Sequence, residues 1–217
     1  MHLPPRKLDE LVICMMAVAS AALFVLLVNM PLYAADVPIV QGTGITVGAK
    51  PRQLIAPPAE PGYTIVSAKS SNPQVVQING VTLAGGAWGV NFTVRGTGVG
   101  VVMVIWNNPT TRKVLRRYFV VASGPTVNSA SRIVMSTGDT MPVPAPNALT
   151  VHAYALDNPQ APPVVSAQLR SNVEVLITGQ DKGRSVVQIQ LPRDPTGTTH
   201  YQIVIVSVVG RGEPPID

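Results

Sequence analysis

Two glycine-framed segments of the chain repeat one another at a fixed interval, and that repeat narrows the choice of fold more than any single motif. Gly96, Gly100, Pro109 and Tyr118 are answered by Gly179, Gly183, Pro192 and Tyr201, each 83 positions later (96 to 179 for the first pair). In both copies a Gly-x-x-x-Gly turn opens an apolar strand, a proline-containing loop follows, and a second strand starts at the tyrosine. The strands are Val101–Trp106 with Tyr118–Val121, then Val186–Leu191 with Tyr201–Val209. Equal spacing of turn, strand, loop and strand marks a duplicated structural unit. It predicts a tandem of small β domains.

Composition agrees with that reading. Of 217 residues, 21 are proline and 18 glycine, and sustained helical periodicity is scarce, which favours many short strands joined by turns. In the first unit the expected strands are Ile45–Val47, Gln53–Ile55, Thr64–Val66, Val75–Ile78, Val81–Leu83, Val90–Val94, Val101–Trp106 and Tyr118–Val121. Val90, Phe92 and Val94 alternate with Asn91, Thr93 and Arg95, the period of a half-buried strand. Asn79-Gly80 reads as a tight hairpin turn. The second unit should contain Arg132–Met135, Leu149–Ala155, Val164–Leu169, Val173–Ile177, Val186–Leu191 and Gln202–Val209. Ser123–Ser131, small, polar and broken by Pro125, reads as the linker. Val66-Ser67-Ala68 is echoed by Val165-Ser166-Ala167 at a longer interval, which implies one additional hairpin within Asn79–Arg95 of the first unit. Val101–Trp106 and Ile203–Val206 are apolar on both faces. Such strands are either covered centrally or meet a partner.

The N-terminus reads as an export signal. Arg6 and Lys7 precede Leu11–Val28, an apolar run of 18 positions, and Pro31, Ala34 and Ala35 follow it. The run is long enough to stay uncleaved as a single-span anchor, and both readings place the remainder outside the cytoplasm. The only cysteine, Cys14, lies inside the run, where Ile13 and its position before the apolar stretch argue against lipidation. The exported part then has no disulfide, so core burial must hold it together. Beyond residue 35, 14 Lys and Arg face 9 Asp and Glu. That mild positive balance suits an anionic envelope glycan or lipid surface, and export argues against nucleic acid.

Ser70-Ser71-Asn72-Pro73-Gln74-Val75-Val76-Gln77-Ile78, with Gly96-Thr97-Gly98-Val99-Gly100-Val101-Val102-Met103-Val104, resembles a bacterial immunoglobulin-like domain of the group 2 kind. Ile45-Thr46-Val47-Gly48 is similar to the opening of the small β domain at the N-terminus of pilus-assembly secretins. The resemblance covers about Ile45–Ala122 and, more weakly, Arg132–Val209. It implies a β-sandwich and brings no catalytic residues.

The residues themselves offer little chemistry. His152 and His200 are the only histidines after the signal and lack the spacing of a zinc site. No Gly-x-Ser-x-Gly turn occurs, and Asp139, Asp157, Asp181 and Asp194 sit in loop-like surroundings where turn formation explains them. Gly96–Gly100 precedes a strand and lacks the lysine of a phosphate-binding loop. No catalytic residue, metal or cofactor is therefore expected. Arg112, Lys113, Arg116 and Arg117 form the clear basic cluster; they either guard an edge strand or dock onto an acidic partner. Trp88, in a glycine-rich loop, is the best single contact candidate, unless it folds back over its own sandwich.

The expectation is an all-β chain of two tandem immunoglobulin-like β-sandwich domains after an N-terminal signal or anchor helix. Residues 1–35 are the signal or anchor, 36–123 the first domain, 132–210 the second and 211–217 a tail. The expected protein is exported, periplasmic or extracellular, and reaches the membrane only through Leu11–Val28 if that run is retained. Its expected work is non-enzymatic: a structural or adaptor part of a bacterial pilus or secretion assembly, binding envelope proteins or itself. The alternative is an adhesin or glycan-binding module.

Overall fold

A computed structural model of the chain describes residues 37–42, 45–48, 52–55, 62–84 and 87–214, all of them within one compact unit. The signal or anchor, Cys14 and Gly85-Gly86 lie outside the described residues. Among the described residues there are fourteen strands and no helix.

The first seven strands are β1 (Ile39–Val40), β2 (Arg52–Ile55), β3 (Thr64–Ser70), β4 (Val76–Ala84), β5 (Ala87–Val94), β6 (Gly98–Asn107) and β7 (Val114–Ser123). The second seven are β8 (Thr126–Ser136), β9 (Thr140–Pro144), β10 (Thr150–Ala155), β11 (Val165–Ser171), β12 (Glu174–Gly179), β13 (Gly183–Leu191) and β14 (His200–Val209). The first set forms a four-stranded sheet, β1-β7-β6-β3, and a three-stranded sheet, β2-β5-β4. The second forms β8-β14-β13-β10 and β9-β12-β11. The orders match strand for strand. In each copy the opening strand runs parallel to the last, β1 on β7 and β8 on β14, and every other pairing is antiparallel. Seven strands split four and three with these non-sequential neighbours define the immunoglobulin-like sandwich, here without its disulfide.

The repeated glycines have a steric cause. A Cβ on Gly96 would stand 2.9 Å from the Gln74 carbonyl oxygen, and one on Gly179 would stand 2.8 Å from that of Ser136. Each turn into β6 and β13 presses on a neighbouring backbone, which only glycine permits.

Each sandwich has its own core. Val76, Val90, Phe92, Val102, Val104 and Trp106 fill the first, and Val143, Val175, Ile177, Val187, Ile189, Val204 and Val206 the second. A third cluster joins the copies. Val99, Val101, Met103, Tyr118 and Val120 of β6 and β7 pack on Val127, Ala130, Val186, Ile203 and Ile205 of β8, β13 and β14. The four-stranded sheets therefore meet face to face, and the molecule has four layers of sheet. This is why β6 and β14 are apolar on both sides: one face fills a sandwich, the other fills the seam. Equivalent faces of the two copies are used, as in a two-fold dimer.

Four expectations change. Ile45–Val47 is not a strand: residues 45–48 are loop and turn, with Ile45 buried in the first core. Ser123–Ser131 is not a linker: β7 ends at Ser123, β8 begins at Thr126, and only Gly124-Pro125 lies between them. Pairing with β14 overrides the polar composition. Asn79-Gly80 is not a hairpin turn but lies inside β4, where the register shifts between Ile78 and Gly80 and the Asn79 amide donates to Thr93 Oγ1. Glycine inside a strand often marks such a bulge. The extra hairpin is absent as well, because Val66 is on β3 and Val165 on β11, strands that do not correspond between the copies.

Candidate functional site

The N-terminal segment binds both copies at once. In β1, Ile39 packs toward the seam and Val40 toward the first core, the alternation of a single strand. The Val37 amide donates to the Ala130 carbonyl at 3.1 Å, and the Val120 amide donates to Pro38 at 2.9 Å. The Gln41 side chain then reproduces a backbone pair with Val127, accepting its amide at 2.8 Å and donating to its carbonyl at 3.2 Å. Residues 37–41 thus bridge β7 of one copy and β8 of the other.

Strand alternation divides the basic cluster. At the β6–β7 tip, Asn108 Oδ1 accepts the amides of Thr110 and Thr111, both at 3.0 Å, and the Arg112 amide donates to the Asn108 carbonyl at 2.8 Å. This Asx-type turn carries Arg112, in the left-handed region at φ 57°, and Lys113, both exposed. Beyond it, Arg117 is exposed while Arg116, one residue away, turns toward the seam and is half-buried. There Arg116 joins Arg184, Tyr118, Asp157 and Arg132, and its pKa is lowered by burial first and by the charge of Arg184 next. The Arg132 guanidinium lies 5.5 Å from the Tyr118 ring centroid, a cation–π contact between copies. Arg184 pairs with Asp157 at 3.4 Å, and the Lys69 ammonium of the first copy donates to the Asp157 carbonyl at 2.7 Å. Beside this tie opens a cleft of about 350 Å³ lined in part by Lys69, Gln77, Ile78 and Asp157. The sequence singles out neither Arg132 nor Arg184 as a contact, and Asp157 reads there only as a turn former. An arginine within an apolar strand, such as Arg132 before Ile133 and Val134, is the signal that could have drawn attention to them.

Trp88 lies on β5 rather than in a loop. It is half-buried, sits opposite Leu83, and meets Trp106 edge-on with centroids 6.5 Å apart and planes at 82°. Its ring belongs to the margin of the first core.

His152 is exposed on β10, and His200 opens β14 beside the polar turn at Asp194. Its Nδ1 is 2.8 Å from Asn128 Oδ1 and its Nε2 is 3.3 Å from Asp194 Oδ2. Asp194 in turn accepts the Thr196 hydroxyl at 2.6 Å and the amides of Thr196 and Thr198 at 2.9 Å. These bonds, the Thr196 hydroxyl first and the Thr198 amide next, hold its pKa down to about 2. The Asp139 side chain also accepts a backbone amide, that of Ser136, at 3.1 Å. Both are turn-forming aspartates. Among the described residues no group of three or more His, Cys, Asp or Glu is placed to hold a metal ion.

No protein-family model matches the chain, and no curated protein matches it. Solved structures align over most of it at low similarity. An endo-fucoidan hydrolase of glycoside hydrolase family 107 is 9% identical over 83% of this chain and 29% of its own, with a TM-score of 0.27. Zebrafish RET cadherin-like domains 1 to 4 are 14% identical over 83% of this chain and 52% of theirs, at 0.28. Titin domains Z1Z2, in complex with telethonin, are 10% identical over 83% and 96%, at 0.25. The chain spans about a third or less of the hydrolases' length. Likenesses this remote assign neither family nor activity.

Proposed function

We propose that the chain is an exported, non-enzymatic structural or adaptor protein of the bacterial cell envelope, a part or accessory of a pilus or secretion assembly. The supporting observation is the bridge made by residues 37–41, which follow the apolar N-terminal run closely and bind both sandwiches. Nine residue steps separate Val28 from Val37, a reach of at most about 30 Å at extended-chain spacing. If the run is retained, only a short stretch of chain separates it from the segment that binds both sandwiches. The shared seam then presents them as a single body, which suits a protein that positions partners.

Crosslinking in cells followed by mass spectrometry of native membranes tests this reading. Crosslinks to envelope proteins, with the chain in the membrane or periplasmic fraction, are expected. A cytoplasmic chain, or an exported one with no protein neighbours, would contradict it.

A further inference from the structure

We infer that Asn79 is a modification site: the Gly80 backbone nitrogen attacks its carboxamide, and the asparagine passes through a cyclic succinimide to aspartate and isoaspartate, with water as the co-reactant. Nothing in this chemistry depends on the adaptor reading. Ring closure needs a following residue that has an N–H to lose and little bulk. Among the chain's asparagines only Asn79 precedes glycine. Asn72, Asn108 and Asn158 precede proline, which has no backbone N–H. Asn128, Asn147 and Asn172 are exposed as Asn79 is, but serine, alanine and valine follow them.

The fold leaves this pair accessible and loosely held. Asn79 is exposed on β4, the outer strand of the sheet β2-β5-β4, and a Cβ on Gly80 would meet nothing within 4 Å. The register passes from Ile78 opposite Phe92 to Gly80 opposite Asn91, so Asn79 has no cross-strand partner. A bulge disrupts the ladder locally, and exposed edge backbone opens more readily than core strands do. Gly80 takes a φ of 151° there, a region that favours glycine. The Asn79 carboxamide is oriented by donating to Thr93 Oγ1 at 2.7 Å, an exposed contact.

The atoms balance without an oxidant or reductant. The bond from Gly80 N to Asn79 Cγ forms, the bond from Cγ to Nδ2 breaks, and Nδ2 leaves as ammonia with the Gly80 amide proton. Water then opens the ring. Attack at Cγ gives aspartate, and attack at the Asn79 backbone carbonyl carbon gives isoaspartate, whose main chain runs through the former side chain. The Thr93 hydroxyl, an acceptor before the change, can donate to the new carboxylate. Each conversion adds one negative charge to a chain of net charge +5. Isoaspartate also adds a methylene to β4, at the position where the ladder already holds an extra residue.

The test ages the purified full chain in detergent at mildly alkaline pH and maps it by mass spectrometry, with isoaspartate and aspartate peptides separated by chromatography. The Asn79 peptide should convert at least tenfold faster than those of Asn128, Asn147 and Asn172, with isoaspartate the larger product. Gly80→Ala should slow conversion at least tenfold. Because the Gly80 φ disfavours alanine, Asn79→Gln is a second variant. It keeps a carboxamide at an exposed position, can close only a less favourable six-membered ring, and should stay unconverted over the same period with an unchanged circular dichroism spectrum. Asn79 that stays intact in the folded chain, whether or not it converts in urea, overturns the inference. So do aspartate without isoaspartate, faster conversion at another asparagine, and conversion as fast in either variant as in the unaltered chain.

Discussion

Gly96 and Gly179 were visible in the sequence as punctuation, and their structural reason is a carbonyl oxygen where a methyl group would have to go. Alanine at either position should therefore cost about 1–3 kcal/mol, the scale of forced overpacking, and the two should behave alike. Urea unfolding of each variant checks this. Asp194 makes a pH prediction of definite sign. Its carboxyl pKa falls from the ordinary 3.8 to about 2 in the folded chain, so the charged form favours folding. That contribution is complete above about 3.8 and is lost as pH falls through about 2. The Thr196 and Thr198 amides should lose their shifted resonances over that window, and Asp194→Ala should remove them at neutral pH. Trp88 and Arg116 show what residue identity alone conceals. Both read as surface contacts, yet one edge-packs on Trp106 and the other turns into the seam.

Strands were legible where period and composition agreed. β5, β6, β7, β13 and β14 stand close to where alternation and the double-sided apolar runs placed them. Two strands were missed: the two-residue β1, Ile39–Val40, and β9, Thr140–Pro144, whose Pro142 and Pro144 read as loop. β9 is an edge strand, the place where a sheet tolerates prolines. β8 was only half recognised because Asn128, Ser129 and Ser131 look like linker, and its pairing comes from β14, some seventy positions away. Long-range register of that kind leaves no local mark. The basic cluster was legible as charge, but its division between the exposed tip and the seam follows only from the alternation of β7. At this scale Ile205→Ala is informative, since Ile205 lies on the seam face of β14 and is fully buried. A loss of about 2–5 kcal/mol is expected, as for other large-to-small core changes. Because the seam belongs to both copies, tryptophan fluorescence of Trp106 in the first should report the same midpoint as hydrogen exchange of β13 in the second.

At the scale of the whole molecule, duplication has produced four layers of sheet and three apolar clusters, the middle one drawn from both copies. The bridge of residues 37–41, the cation–π contact of Arg132 with Tyr118 and the bond from Lys69 to Asp157 all cross the same boundary. A pair of immunoglobulin-like sandwiches joined through so much buried apolar surface should unfold together, unlike modules on a flexible linker. Calorimetry of the purified chain tests this most directly. One transition is expected, with the calorimetric enthalpy equal to the van't Hoff enthalpy for all the described strands. Two separable transitions, or a ratio near two, would mean that the sandwiches stand alone and that the seam does not hold them as one body.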